Sequence, residues 1–367
     1  MKRKRILAMI LAVASCLSLA VSASAASTTT RKATDFRDYD RTAWYAEAVS
    51  AAVDNGLLYG KSSTVIDPNG AMTRAEMAAI INRSFGCYKT ADISQYKDVS
   101  KDKWYYKDVA LAVQMGTYNG RSASSMAPDA PISRQEAMTV VARALELDYD
   151  AYAKTDLTAF SDRGKISDWA LPYVRAMVGA DYIHGRGKVL APQDDITRAE
   201  FAQIFANIIG SYITVKGTYD KDIKGSVLVR TDDVILKDMT VDGDLIIGCG
   251  AADGKIVLDN VTIKGRLLTW GGGTKAVYCN NGTSTPEVIA ARVDDAVKII
   301  FDRDSTLAVI DSIKARITER AKQNKETEII FYDVSGLREA QKQLNAIVAD
   351  NQIDITAPAH LYALVGE

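Results

Sequence analysis

The stretch ITRAEFAQIF, residues 196–205, decides how this 367-residue chain is read. Thr-Arg-Ala-Glu precedes apolar residues at helical spacing. The same four residues occur at 73–76 in MTRAEMAAII, and the variant Ser-Arg-Gln-Glu at 133–136 in ISRQEAMTVV. Ser/Thr-x-x-Glu before an apolar helix is a capping box. It makes Thr73, Ser133 and Thr197 the expected N-caps and puts Glu76, Glu136 and Glu200 at the third helical position. Arg74, Arg134 and Arg198 then fall at the first helical position, the positive end of the helix dipole. A cation costs about 0.3–1 kcal/mol there. The same unfavourable charge three times implies an anionic partner. Either the guanidinium and the helix amides receive an external carboxylate or phosphate, or each arginine pairs within the chain with Asp38, Asp98 or Asp162.

Working outward, the motif closes three copies of one unit. The units begin FRDYDRTAWYAEAVSAAVDNGLLYG at Phe36, YKDVSKDKWYYKDVALAVQMGTYNG at Tyr96 and FSDRGKISDWALPYVRAMVGADYIHG at Phe160. Each has an aromatic and an aspartate (Asp38, Asp98, Asp162), then a tryptophan (Trp44, Trp104, Trp169). A loop glycine (Gly60, Gly120, Gly185) and a proline (Pro68, Pro128, Pro192) follow before the capping box. Three units in one register make an internal repeat. Apolar residues at three- and four-residue spacings predict two helices per unit. The first begins with the tryptophan, as in Trp44, Ala48, Val49, Ala52 and Val53. The second carries Met77, Ile80, Ile81 and Phe85 and their equivalents. Glycine and proline make the loop between them turn-rich. On an apolar helix face the tryptophans are expected to pack into the core.

The N-terminus reads as a secretory leader over residues 1–25: basic MKRKR, an apolar run, and Ala23-Ser24-Ala25 for cleavage. Val13-Ala14-Ser15-Cys16 loosely matches a lipoprotein box, but the apolar run continues past the cysteine. Without the leader, four of the 45 basic residues go and 41 remain against 46 acidic, a net charge of −5. That balance argues against a nucleic-acid binder. Cys87, Cys249 and Cys279 remain, too few and odd in number for a disulfide framework. With His184 and His360 alone and far apart, neither a multi-histidine metal site nor a histidine-based triad is expected, and no cofactor or membrane span is implied.

The three units resemble tandem S-layer homology domains, whose hallmark is the TRAE motif. The resemblance covers residue 36 to about 210. It implies a pseudo-threefold helical assembly that binds secondary cell wall polymers noncovalently, often through pyruvylated amino sugars, in grooves between repeats. In some relatives with an outer membrane the ligand is modified peptidoglycan. Carried over, Arg74, Arg134 and Arg198 are the expected anion contacts. Gly60, Gly120, Gly185 and the adjacent Lys61, Arg121 and Arg186 are further candidates, and the resemblance makes Trp44, Trp104 and Trp169 candidates to stack on sugar rings. On this basis, replacing the three motif arginines by alanine is expected to weaken wall binding and leave the fold intact.

After Gly210 the periodicity changes. VILKDMTVDGDLIIG (234–248) aligns without gaps to IVLDNVTIKGRLLTW (256–270), and IKGSVLV (223–229) echoes half a unit. Alternating apolar residues on a 22-residue period predict stacked β-coils, with Asn260 laddering in a turn. A β-sandwich is the competing architecture. Asp238, Asp242, Asp244 and Asp259 are catalytic candidates by type, or turn residues. Cys249 and Cys279 are left open as a pair. DSIKARITERAKQ and LREAQKQLNAIVADN look helical, with EIIFYDV a strand between them.

The expected architecture is multidomain α+β: a leader (1–25), three all-α repeats (36–90, 96–150, 160–212), a short right-handed parallel β-helix (215–310), and a mixed α/β C-terminal cap (311–367). The expected function is noncovalent anchoring of a secreted, non-enzymatic protein to cell wall glycopolymer or peptidoglycan. A wall-anchored carbohydrate-active enzyme and a self-associating lattice subunit are the alternatives.

Overall fold

The computed structural model describes residues 31–274 and 277–336. The expected leader and the expected helix at 337–351 lie outside the described residues. The described residues from Lys32 on form one compact unit. Its first part has two helices per repeat: α1 (Ala46–Asp54) and α2 (Arg74–Phe85), α3 (Tyr106–Met115) and α4 (Arg134–Ala144), α5 (Leu171–Gly179) and α6 (Arg198–Ile208). The first helix of each repeat starts two residues after its tryptophan, so Trp44, Trp104 and Trp169 lie in the preceding turns. The second helix of each repeat packs on the first helix of the next: α2 on α3, α4 on α5, and α6 back on α1. The repeats therefore close a ring, with a buried core running through all three.

At the ring's centre the residues before the three N-caps bond one another cyclically. Met72 N–H donates to Ile196 O (3.0 Å), Ile196 N–H to Ile132 O (3.0 Å), and Ile132 N–H to Met72 O (2.9 Å). A buried backbone group needs a partner, and here each repeat supplies its neighbour's.

The chain enters its β part at once, at Ile209, with no linker to residue 215. The elements are β1 (Ile209–Ile213), β2 (Gly217–Tyr219), β3 (Ser226–Val229), β4 (Val234–Val241), β5 (Leu245–Ile247), β6 (Ile256–Ile263), β7 (Arg266–Thr269), β8 (Val277–Asn280), β9 (Glu287–Ala290), β10 (Lys298–Phe301), α7 (Arg303–Val309), β11 (Lys314–Ile317) and β12 (Glu328–Phe331). Odd-numbered strands form one six-stranded sheet and even-numbered strands another, and every pairing is parallel. The register follows the 22-residue sequence repeat, with Val234 opposite Ile256 and Leu245 opposite Leu267. Asp238, Asn260 and Asn281 all have positive φ. Asn260 Nδ2 donates to Asp238 Oδ1 at 2.8 Å, and Asn281 Nδ2 to Asp259 Oδ1, so the asparagine ladder forms.

The segment DSIKARITERAKQ is not helical. Lys314–Ile317 pairs with Glu287–Ala290 as β11, and Ala321–Gln323 makes only a 3₁₀ turn. An open sheet edge offers this segment a full set of hydrogen bonds, which outweighs its helical composition.

The odd-strand sheet is covered on both faces. Leu228, Ile246, Leu268 and Ile289 pack into the core of the helical repeats, while Val227, Leu245, Leu267 and Val288 face the even-strand sheet. Arginines and a tryptophan from the β part also close the C-terminal ends of α1 to α4. Arg230 donates to Arg83 O (2.9 Å) and Asn55 O (3.0 Å), Arg266 to Leu145 O (3.0 Å), Arg320 to Gln114 O (2.7 Å), and Trp270 Nε1 to Ala144 O (2.9 Å). Last-turn carbonyls lack helical partners, and the dipole is negative there, so guanidiniums suit the place. Arg266 is itself held by Asp244 Oδ2 at 2.6 Å, with both side chains nearly buried. Replacing one partner of a buried pair strands the other, at about 3–5 kcal/mol. Arg266→Ala is therefore expected to lower the denaturant midpoint of the whole unit, read by the fluorescence of the buried Trp270. An unchanged midpoint would refute this docking account.

Candidate functional site

The three capping boxes form as the sequence predicts. The hydroxyls of Thr73, Ser133 and Thr197 accept from the backbone N–H of Glu76, Glu136 and Glu200, whose carboxylates accept the N-cap N–H in return. The arginines find their anion inside the chain. Arg74 Nη1 lies 3.0 Å from Glu136 Oε1, Arg134 Nη1 lies 3.0 Å from Glu200 Oε1, and Arg198 Nη1 lies 4.0 Å from Glu76 Oε1. Each motif arginine thus meets the motif glutamate of the next repeat. Their Nε atoms donate to Met126 O (2.9 Å), Leu190 O (2.9 Å) and Ile66 O (2.8 Å), and all three arginines are at most 5% exposed.

The aspartates expected as possible partners hold the loops instead. Asp38 accepts from the N–H of Ile66 and Asp67, Asp98 from Met126 and Ala127, and Asp162 from Leu190 and Ala191. Asp67, Ala127 and Ala191 sit at φ near +50°, a left-handed backbone that side chains disfavour. The carboxylates clamp them there. The following carbonyls then point at the neighbour's helix: Pro128 O accepts from Ala75 N, Pro192 O from Gln135 N, and Pro68 O from Ala199 N. The first free amides of each motif helix are thereby consumed within the ring. The expected anion site on helix amides and motif arginine is taken by the protein itself.

The expectation that alanine at these arginines leaves the fold intact is corrected on the same ground. Arg134→Ala would leave the buried Leu190 carbonyl without its donor and Glu200 with only Arg186 and the Thr197 N–H. It is expected to cost about 1–3 kcal/mol of stability, seen as a lower denaturant midpoint. Arg134→Lys, lacking the Nε donor and the fork, should recover only part of this.

Glycines 60, 120 and 185 are explained by packing. A Cβ on each would run into the ring of Phe36, Tyr96 or Phe160, the aromatic that opens each repeat. The adjacent bases are different: Lys61, Arg121 and Arg186 keep 34%, 45% and 40% of their side chains exposed while pairing with Glu76, Glu136 and Glu200. Arg186 grips Glu200 with two bonds, Nε–Oε1 at 2.6 Å and Nη2–Oε2 at 2.9 Å.

Trp44, Trp104 and Trp169 are 63%, 60% and 52% exposed, so they are not core residues. Two grooves between repeats are well formed. One is lined by Trp44 of the first repeat, Arg134 of the second, and His184, Arg186 and Glu200 of the third. The other is lined by Arg121, Ser133 and Glu136 of the second repeat and Trp169 and Asp195 of the third. Their equivalents around the ring are Lys61, Glu76 and Trp104. In both grooves an exposed indole lies with a half-exposed base and a carboxylate, and the third set is equivalent by repeat position. Within the β part, Asp238, Asp242, Asp244 and Asp259 are engaged with Asn260, Lys264, Arg266 and Asn281 respectively. No cluster of three metal-ligating side chains occurs among the described residues.

The S-layer homology domain family matches residues 35–78, 95–138 and 159–202, which are the three ring-forming repeats. The chain carries three S-layer homology domains. It is 32% identical over 213 residues to the surface-layer 125 kDa protein of Lysinibacillus sphaericus, covering 57% of this chain and 17% of that protein. It is 28% identical over 182 residues to an exoglucanase of Acetivibrio thermocellus, covering 49% and 16%. A cell surface protein of Thermoanaerobacter kivui matches over 286 residues at 23% identity, covering 74% of this chain and 34% of that protein. The chain thus spans less than a fifth of the first two relatives. The S-layer homology domains and the surface-layer relatives mark a secreted or cell-surface protein and support anchoring to the cell wall. No helix among the described residues is long and apolar enough to cross a membrane.

Burial opposes ionisation of Glu200, but hydrogen bonds from Arg186 and Thr197 N–H and the charges of Arg134 and Arg186 hold its pKa below the ordinary 4.5. Burial likewise opposes, and loop N–H groups outweigh it, at Asp38 and Asp98, which lie below 3.8. The unfolded chain therefore binds these protons more tightly. Stability from the three groups is complete above pH 4.5 and is lost as pH falls through 4.5, then 3.8, toward the folded values. Melting temperature should be flat with respect to these groups above that window and fall below it. Glu200→Gln should be less stable than wild type at neutral pH and show a shallower acid loss.

Proposed function

We propose that the ring of three S-layer homology domains anchors this protein noncovalently to a secondary cell wall polymer, with one glycan-binding groove at each junction between repeats. What carries this reading is an exposed tryptophan sharing a groove with a half-exposed base at two junctions, Trp44 with Arg186 and Trp169 with Arg121, with Trp104 and Lys61 equivalent by repeat position. An indole face stacks on the apolar face of a sugar ring. Lys61, Arg121 or Arg186 supplies the charge for an acidic substituent such as a pyruvyl carboxylate. Arg74, Arg134 and Arg198 act behind the groove, fixing the glutamate that orients each base. Three weak sites on one rigid ring raise avidity when a polymer reaches more than one.

The β part is read as a short right-handed parallel β-helix of structural or interaction type, which the repeats hold at the surface. Relatives include both surface-layer proteins and a glucanase, so an enzymatic role of the β part is the second reading. Release of reducing sugar from wall or plant polysaccharide by the purified chain would favour it. Assembly of the pure protein into sheets would favour a lattice subunit.

The test uses the full chain, because cutting near residue 210 would strip the odd-strand sheet from the helices it covers. The combined Trp44→Ala, Trp104→Ala and Trp169→Ala variant is expected to melt like wild type, since these side chains are exposed. Its sedimentation with cell walls should fall at least about tenfold, as expected from losing about 1–2 kcal/mol at a site. Wild-type binding should vanish once acid removes the non-peptidoglycan polymer. Equal binding to extracted peptidoglycan would overturn the polymer assignment, and unchanged binding by the tryptophan variant would overturn the grooves.

A further inference from the structure

The sequence leaves Cys249 and Cys279 as the pair to consider. The structure puts Cys249 elsewhere. Its Sγ lies 3.0 Å from the Sγ of Cys87, 162 residues away, across the boundary between the first repeat and the β part. Cys279 is wholly buried between the two sheets.

The backbone on both sides is shaped for this approach. Cys87 follows Gly86, which ends α2 at φ +68°, and Cys249 follows Gly248 at the end of β5. A Cβ on Gly86 would come within 2.8 Å of Gly250 Cα, and one on Gly248 within 2.6 Å of Phe85 O. Side chains at either glycine would hold the two cysteines apart. Both residues keep part of their surface exposed and line a small cleft together with Lys89, Met115 and Asp294.

We infer that Cys87 and Cys249 form a disulfide that fastens the β part to the first S-layer homology domain after secretion. A disulfide needs its sulfurs at about 2.05 Å, so the pair closes by roughly 1 Å of side-chain movement. In the reaction two S–H bonds break, one S–S bond forms, and two electrons and two protons pass to an external disulfide. Its S–S bond is reduced, and it leaves as two thiols. A secreted or cell-surface protein works where such oxidants persist. The contact with Cys249, and then burial, raise the Cys87 thiol well above its ordinary pKa. The bond would tie together segments 162 residues apart and resist opening of the docked face.

The experiment treats the folded, full-length secreted chain with oxidised glutathione, denatures it in an alkylating agent, and maps the peptides. The expected product is a peptide pair linked through Cys87 and Cys249, with Cys279 alkylated. Its melting temperature should exceed that of the dithiothreitol-treated protein by roughly 5–10 °C. Cys87→Ser and Cys249→Ala should each abolish both the link and the difference between oxidised and reduced protein. Finding Cys87 and Cys249 alkylated or singly glutathionylated in the oxidised wild type, or linked to Cys279, overturns the proposal. That peptide map needs no variant to fold.

Discussion

The buried guanidinium at each repeat junction is the constraint on which the helical ring rests. Arg74, Arg134 and Arg198 begin helices, where the dipole disfavours them, and are nearly excluded from water. Both penalties are offset only in the closed ring, where the next repeat supplies a glutamate and a loop carbonyl. A repeat alone would leave its arginine without these partners. The motif thus encodes closure of three units as well as the start of a helix.

Closure divides the helix ends between two tasks. The N-termini of α2, α4 and α6 are satisfied by the neighbouring repeat through Pro68, Pro128 and Pro192 carbonyls. The C-termini of α1 to α4 are satisfied by the β part, through Arg230, Arg266, Arg320 and Trp270. With both ends occupied and the core filled, what remains at the surface of each junction is the tryptophan, the loop base and one edge of the glutamate. The proposed glycan grooves are built from what the ring does not need for its own stability. This explains why tryptophan changes are expected to spare the fold and arginine changes are not.

The same economy governs the β part. Its aspartates looked by type like an acid–base set, yet Asp238, Asp242, Asp244 and Asp259 each hold a side chain 22 residues further along the chain. The docked sheet carries apolar residues on both faces, as parallel strands covered on both sides do. That double burial makes the helical and β parts one compact unit.

Much was legible in the sequence because it depends on local spacing. Capping boxes, three repeats, paired helices and the 22-residue strand register follow from patterns only a few residues deep, repeated. The asparagine ladder at Asn260 belongs with them. Other features depended on which distant groups meet. The sequence could show that each motif arginine wants an anion, but Glu136, Glu200 and Glu76 became the partners only when the ring closed. The tryptophans fit a helical face by spacing, yet the helices start two residues later and leave them exposed. Lys314–Ile317 has helical composition and becomes a strand because an unpaired sheet edge lies beside it. Arg266, Trp270 and the Cys87–Cys249 contact carry no local signature at all. Sequence alone determined the units and their caps, since hydrogen bonds within four residues and apolar periodicity specify those. Tertiary structure alone decided which charges are buried, which rings face solvent and which thiols touch, because burial and pairing are properties of surfaces brought together over a hundred residues or more.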